Sequence, residues 1–269
     1  MQMVSAVAQS IERSPFVYDE PRIEIASGKY VVTLAQTTEE IDAALKLRFE
    51  VFNLELGEGL DSSFQTGRDR DQFDATCSHL IVTDQTNGNV VGTYRLRTIE
   101  MAESVEGFYS AGEFDLNYLP QGVLNQALEL GRACIDQRHR NRQVLFLLWK
   151  GLAQYVRARR KRFLFGCCSL TSQEPNEGNQ LLGQLIRGGH MHPTLLVPPQ
   201  AGYECQTDCS SSGRSGEVKI PQLFRTYLSI GAKVCSPPAI DRLFKTIDFL
   251  VLFDVEAMDS STRKLFFAR

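Results

Sequence analysis

Apolar positions along this chain follow two periods, and the switches between them mark its elements. KYVVTLA (29–35) predicts a strand by its β-branched content. Thr37 with Glu40 makes a capping box, and Ile41, Ala44, Leu45, Phe49 and Phe52 then recur at helical spacing. CSHLIVTD (77–84) and NVVGTYRL (89–96) predict two strands joined across Asn87–Gly88, a pair that favours a tight hairpin turn. The second strand puts Arg95 on the opposite face from Tyr94. The central stretch, 127–162, opens as a strand with Leu128, Leu130 and Ala133 and turns over Asp136 to Asn141. From about Arg142 it becomes a helix, with Val144, Leu147, Leu148, Leu152 and Tyr155 on one face. Further on, RFLFGCCSL (162–170) predicts a strand buried on both faces, and EGNQLLGQLIRGG (177–189) a helix ending at its glycines. PQLFRTYLSIGA (221–232) predicts a helix and KTIDFLVLFDV (245–255) a last strand.

Between these elements the pattern fades. Residues 1–28 read as a loose leader, 99–120 as short helical and turn pieces, 190–216 as a long loop rich in Pro, Gly and Ser, and 256–269 as a tail. No repeat or linker divides the chain, so residues 29–255 are expected to form one mixed α/β domain.

Charge and composition narrow the partners. A net charge of −3 on 269 residues argues against a general nucleic-acid binder. No apolar run approaches a membrane span, and no basic-then-apolar leader opens the chain, so a cytoplasmic protein is expected. The seven cysteines include no C-x-x-C pair, and Cys205 with Cys209 lacks a neighbouring histidine pair. Reduced thiols and no metal are the expectation. Within residues 132–162 ten basic side chains, from Arg132 and Arg138 to Lys161 and Arg162, accompany one acid, Asp136. That patch suits an acidic partner protein or an anionic membrane surface, or is simply a solvated helix end.

Chemistry concentrates in the centre. An acid-bearing strand running into an arginine-rich turn at a helix N-terminus is suited to phosphate binding and proton transfer. Arg48 lies among apolar neighbours, where a side chain reaching a surface ion pair is the plain reading. Asp69, Asp71 and Asp74 close a polar loop, His79 sits in the following strand, and any of these can be structural.

The order of elements resembles the GNAT acyltransferase fold, which implies a largely antiparallel twisted sheet flanked by helices, with a splayed central strand pair. LRFEVFNLELGEGLD, DQFDATCSHLIV, VVGTYRL and ALELGR look more narrowly like enzymes that take long acyl chains from acyl carrier protein. These are the ornithine N-acyltransferases and N-acyl amino acid synthases, with acyl-homoserine-lactone synthases in wider outline. The last group's pattern falls here on Arg48, Phe52, Asp71, Asp74, Arg95, Glu129 and Arg132, but the tryptophan expected after its first helix is missing. The later stretch ends in D-x-x-F-x-T-x-D (Asp241, Phe244, Thr246, Asp248), also similar to the ornithine branch. The turn Arg140 to Leu145 keeps the arginine of the GNAT phosphate signature Q/R-x-x-G-x-G/A and neither glycine, which favours a carrier protein over coenzyme A.

The resemblance implies an N-acyltransferase with no permanently bound cofactor, acyl-ACP as thioester donor and an amino acid acceptor, with a peripheral contact at the inner membrane as an option. Glu129 is the candidate general base, its pKa raised by apolar flanks, unless it only pairs with Arg132 or Arg95. Arg132 would share its face only through a strand bulge, which the resemblance implies. Arg48 and Arg95 either hold the acceptor carboxylate or fasten the acid loop through Asp71 or Asp74, with Phe52 and His79 in the same set. Cys134, Ile135, Arg140, Arg142 and Val144 are assigned to the oxyanion and pantetheine arm. A covalent route through Cys134, Cys167 or Cys168 lacks an activating histidine nearby in sequence. A non-catalytic protein that binds acyl-ACP or lipid is the alternative.

Overall fold

A computed structural model describes residues 20–104, 106–206 and 217–267. Its described strands form one sheet: β1 (Glu24–Ser27), β2 (Tyr30–Leu34), β3 (Ser78–Asp84), β4 (Asn89–Thr98), β5 (Ala127–Ile135), β6 (Phe163–Leu170), β7 (Lys233–Val234), β8 (Ala239–Asp241) and β9 (Thr246–Asp254). The order is β1-β2-β3-β4-β5-β6-β9-β7, with β8 also pairing β9. Every pairing is antiparallel except β5 with β6. Those two parallel strands meet only over Ala127–Glu129 and Phe163–Phe165 before they diverge. At the divergence Gly166 lies against β5 so tightly that a Cβ there would stand 2.2 Å from the Leu130 carbonyl oxygen. The expected GNAT-like sheet with a splayed centre is present.

The helices lie on this sheet where sequence period and caps place them. α1 (Thr38–Phe49) starts at the Thr37–Glu40 capping box and runs into a widened π-type turn over Glu50–Glu55. α4 (Arg142–Ala158) is capped by Asn141, whose side-chain oxygen accepts from the Val144 N–H at 3.0 Å. It buries Val144, Leu147, Leu148, Leu152 and Tyr155. Close packing relies on small residues: Gly92 faces Val144 and Leu148, and a Cβ on Gly151 would stand 2.9 Å from Val32. Of the short helices, α2 (Ile99–Ser104) opens the expected irregular stretch and α3 (Gln121–Leu124) follows just after it, and α5 (Pro175–Arg187) and α6 (Gln222–Ser229) follow β6.

Four elements depart from the sequence expectation. β1 lies inside the expected leader and α7 (Ser260–Phe267) inside the tail, while β7 and β8 fall within residues 233–244, to which the sequence pattern assigned no element. Strands of two to four residues show no usable alternation. α7 packs back on α4, with Phe266 4.9 Å from Trp149 between ring centroids. β6 is half-buried rather than buried on both faces, because the splay opens a cavity beside it. Within the long loop, Met191 bridges to Val234 and Glu204 to Ala239, and residues 207–216 lie outside the described residues.

Candidate active site

Three arginines and three aspartates form a buried ion network beneath the centre of the sheet. Arg48, fully buried on α1, donates from Nε to Asp69 at 2.8 Å and from Nη1 to Asp74 at 2.6 Å. Arg95 of β4 donates to Asp71 at 2.6 Å and Asp74 at 3.0 Å. Arg132 of β5 reaches Asp69 and Asp71, each at 3.2 Å. Burial works to raise the Asp74 carboxyl, but the Arg48 and Arg95 guanidiniums overcome it and hold the group well below the usual range. Asp69 is lowered in the same way against its burial by Arg48 and Arg132. His79 ties the loop from behind: its Nε2 lies 2.9 Å from the Asp74 carbonyl, and burial holds its pKa below the ordinary value. The acid loop is therefore fastened from four elements, α1, β3, β4 and β5. Of the alternatives open for Arg48, fastening matches its contacts.

Arg132 reaches this network through a bulge. Thr93 faces Cys134 and Arg95 faces Gly131, so two residues of β5, Arg132 and Ala133, oppose Tyr94 alone. Arg132 has φ +50, a left-handed conformation uncommon for a side chain of this size. Its guanidinium stacks over Phe244 at 4.2 Å and over Tyr109 at 4.8 Å.

Glu129, three residues earlier, pairs with neither arginine. One carboxylate oxygen accepts from the Tyr109 N–H at 2.9 Å, and the other accepts from the Ser110 N–H at 2.8 Å and from the Ser110 hydroxyl. These donors come from the 3₁₀ turn Tyr109–Gly112, inside the stretch that sequence left as irregular. Of the roughly four lone-pair sites on a carboxylate, three are taken.

A second acid group lies nearby. Asp248 of β9 accepts from the Ser169 hydroxyl at 2.5 Å and the Thr246 hydroxyl at 2.7 Å. Glu113, just past the 3₁₀ turn and 4% exposed, has no partner for either oxygen among the described residues. Donor atoms of Glu113, Asp248 and Cys167 all lie within 4.8 Å of one another. Burial pushes the Glu113 carboxyl well above its usual range, helped by Asp248 and Asp241. Burial likewise raises Asp248 to about 6, against its two hydroxyl donors. Burial raises the Cys134, Cys167 and Cys168 thiols too, which disfavours the thiolate that a covalent route needs.

One cavity of about 330 Å³ opens where β5 and β6 part, and part of both groups borders it. Its polar end carries Arg95, Arg132, Glu129, Glu113 and Asp248. The other end runs between α4, α6 and α7 and is walled by apolar groups such as Leu152, Ala153, Phe224 and Phe266. Phe52 also borders it, whereas Arg48, Asp71, Asp74 and His79 stand behind the wall. β5 contributes Leu130 to Ala133, so Cys134 and Ile135 lie beyond it, with Arg140, Arg142 and Val144 further on at the start of α4. Cys134 instead packs among Leu47, Val51, Phe52 and Phe244. Arg140 is held by Glu55 and by the Ile135 carbonyl.

Sequence reasoning missed Tyr109, Ser110 and Glu113 as part of this site. The visible signal was a glutamate and a serine inside an otherwise apolar stretch. The basic patch is also smaller than its sequence count. Glu20, Glu55, Glu100 and Asp254 pair with Arg159, Arg140, Lys161 and Arg162.

The splayed sheet is that of a GNAT-like fold, and the chain's relatives are acyltransferases. The acetyltransferase (GNAT) domain model matches residues 47–150, from α1 through the acid loop and the bulge into α4. Relatives cover far more. The L-ornithine N(alpha)-acyltransferase of Brucella abortus is 33% identical over 248 residues, 87% of each chain. That of Rhodobacter capsulatus is 31% identical over 249 residues, 89% of this chain and 95% of the relative. The chain belongs to the family of L-ornithine N(alpha)-acyltransferases. Among solved structures, that of the AHL synthase LasI matches with TM-score 0.48 at 13% identity, over 90% of this chain and 96% of that one.

Proposed function

We propose that this enzyme transfers a long fatty acyl chain from acyl carrier protein to the α-amino group of an amino acid, ornithine first among them, by direct attack on the thioester. The observation that carries this reading is the cavity, polar at the strand splay and apolar beyond it. A thioester carbonyl lodged at the splay would leave its acyl chain in the apolar arm. The pantetheine arm would lie along the edge of β5 that β6 leaves unpaired after Glu129.

In this mechanism the acceptor carboxylate meets Arg95 and Arg132; Arg95 Nη2 is buried without a partner among the described residues. Arg48, Asp71, Asp74 and His79 act as positioning residues that hold those two arginines. Glu129 uses its remaining lone pair to take a proton from the ammonium, directly or through a water. The freed amine forms the N–C bond, the second proton that nitrogen then sheds goes to the thiolate as the C–S bond breaks, and Glu129 returns the first proton to solvent. Backbone N–H groups of Gly131 to Ala133 are the candidate oxyanion donors, in place of those at Cys134 and Ile135.

Carrier protein rather than coenzyme A fits the start of α4. Asn141 already caps the Val144 N–H and Arg140 is engaged by Glu55, so little is left there for a diphosphate. The exposed Arg142 and Arg160 are the proposed meeting points for the acidic carrier. No described helix is long and apolar enough to cross a membrane. Release of the product at the membrane surface is proposed at the cavity wall around Leu56, which is 40% exposed.

The test supplies purified protein with hexadecanoyl-ACP or hexadecanoyl-CoA and ornithine, with mass spectrometry of the products. N-hexadecanoyl-ornithine should form faster from the carrier thioester. Glu129→Gln should lower kcat by about 10²- to 10⁴-fold with the melting temperature kept. Turnover within a few-fold of the parent would remove Glu129 from the base role.

A further inference from the structure

The acids Glu113 and Asp248 have no task in the acyl transfer as described. Their surroundings require an explanation, because burying a carboxyl group with nothing to satisfy it is unfavourable. Glu113 arrives from the turn after Ser110, Asp248 from β9 and Cys167 from β6, so three separate segments converge on one corner of the cavity. Asp248 spends one lone pair of each oxygen on Ser169 and Thr246, while both Glu113 oxygens are open. The D-x-x-F-x-T-x-D stretch builds much of this corner. Asp241 accepts from the Leu243 and Phe244 N–H groups, Phe244 stacks on Arg132, and Thr246 orients Asp248.

We propose that Glu113 and Asp248, with the Cys167 sulfur beside them, form a subsite for a second ammonium group on the acceptor, so that the enzyme selects diamino acids. This rests on the N-acyltransferase reading above. The polar end of the cavity then has two unlike poles: an open guanidinium N–H on Arg95 and two open carboxyl oxygens on Glu113. A zwitterion with a cationic side chain satisfies both poles at once. Its side-chain ammonium brings three N–H donors to a corner whose acceptors stand within 4.8 Å of one another. Burial raises both carboxyls while the corner is empty, and an entering ammonium favours their ionised forms, releases the bound proton to solvent and leaves both carboxylates paired. A monoamino acid of the same length would leave them buried and unmatched. Sites built around a polar group reject the analogue that lacks it far more strongly than apolar pockets reject a missing methylene.

The discriminating experiment compares ornithine with norvaline, which has the same carbon chain and no δ-amine. With one acyl donor, wild type should prefer ornithine in kcat/KM by at least about 100-fold. In Glu113→Gln and, separately, Asp248→Asn, that ratio should fall to within about 5-fold, chiefly through the KM of ornithine. Calorimetric titration of both amino acids into each protein reads the subsite without turnover. A wild type that forms no amide yet binds ornithine and not norvaline keeps the subsite and refutes the acyltransferase reading. A wild type that handles norvaline as well as ornithine overturns the proposal. So does a preference that persists in both folded variants, or a stoichiometric divalent metal found in the protein as isolated.

Discussion

At the scale of single residues, the site is a set of buried charges whose cost depends on whether each one has a partner. Glu58 makes the cost measurable. It is 5% exposed, accepts a hydrogen bond from Thr171, and burial raises its pKa from 4.5 to about 6. A folded pKa above the unfolded one means folding favours the protonated form. The stabilising contribution is present below about 4.5 and is lost as pH rises through about 6. The full shift corresponds to about 2 kcal/mol. Glu58→Gln, which keeps an acceptor for Thr171, should therefore be more stable than wild type at pH 7.5 and level with it near pH 4.5. Paired denaturant melts across that range check this, and a gap constant with pH would refute it. Sequence made Glu129, Arg132, Arg95 and the aspartates legible, because their types and spacing carry the family pattern. It could not give Glu129 its true partners, nor mark Glu113, since both depend on a turn with no period and on residues distant in the chain.

At the scale of elements, one close approach decides whether β5 and β6 join and then part. Gly166 is the first residue of β6 beyond its pairing with β5, and it lies against the Leu130 carbonyl. Gly166→Ala should push the strands apart there, cost about 1–3 kcal/mol in stability and lower kcat more than KM, because backbone and carbonyl would be misplaced relative to the acceptor. Full activity in a folded Gly166→Ala protein would show that the splay tolerates that movement. The long elements were readable because caps and periods agree, as at Thr37 with Glu40 and at Asn141 with Val144. The bulge at Arg132 was not readable from alternation, because Leu128, Leu130 and Ala133 fit a regular strand equally well. Its two extra pieces of evidence, the positive φ and the offset register, exist only in three dimensions. β1, β7 and β8 escaped for a simpler reason: each owes its conformation to the strand beside it.

At the scale of the whole molecule, α7 helps to wall the cavity. α7, read from sequence as part of a tail, closes the apolar arm by packing Phe266 against Trp149, and Trp149 in turn stacks on Tyr227 of α6. The arm is thus a space between three helices and the sheet, and in the proposed reading its length limits the acyl chain that fits. Ala153, on α4 and 5% exposed, faces that space, so its small side chain leaves room that a larger one would fill. Ala153→Phe should shorten the arm while leaving the polar end, some way along the cavity, as it is. With carrier-bound donors, kcat/KM for a hexadecanoyl chain should drop at least about 10-fold relative to an octanoyl chain; a few lost methylene contacts suffice for that, at about 0.8 kcal/mol each. If both chain lengths lose activity equally, the substitution has disturbed the fold or the splay. If neither does, the acyl chain takes a path other than the arm between α4, α6 and α7. A selective loss of the long chain would tie substrate length to helix packing, and would make the C-terminal helix part of the enzyme's specificity.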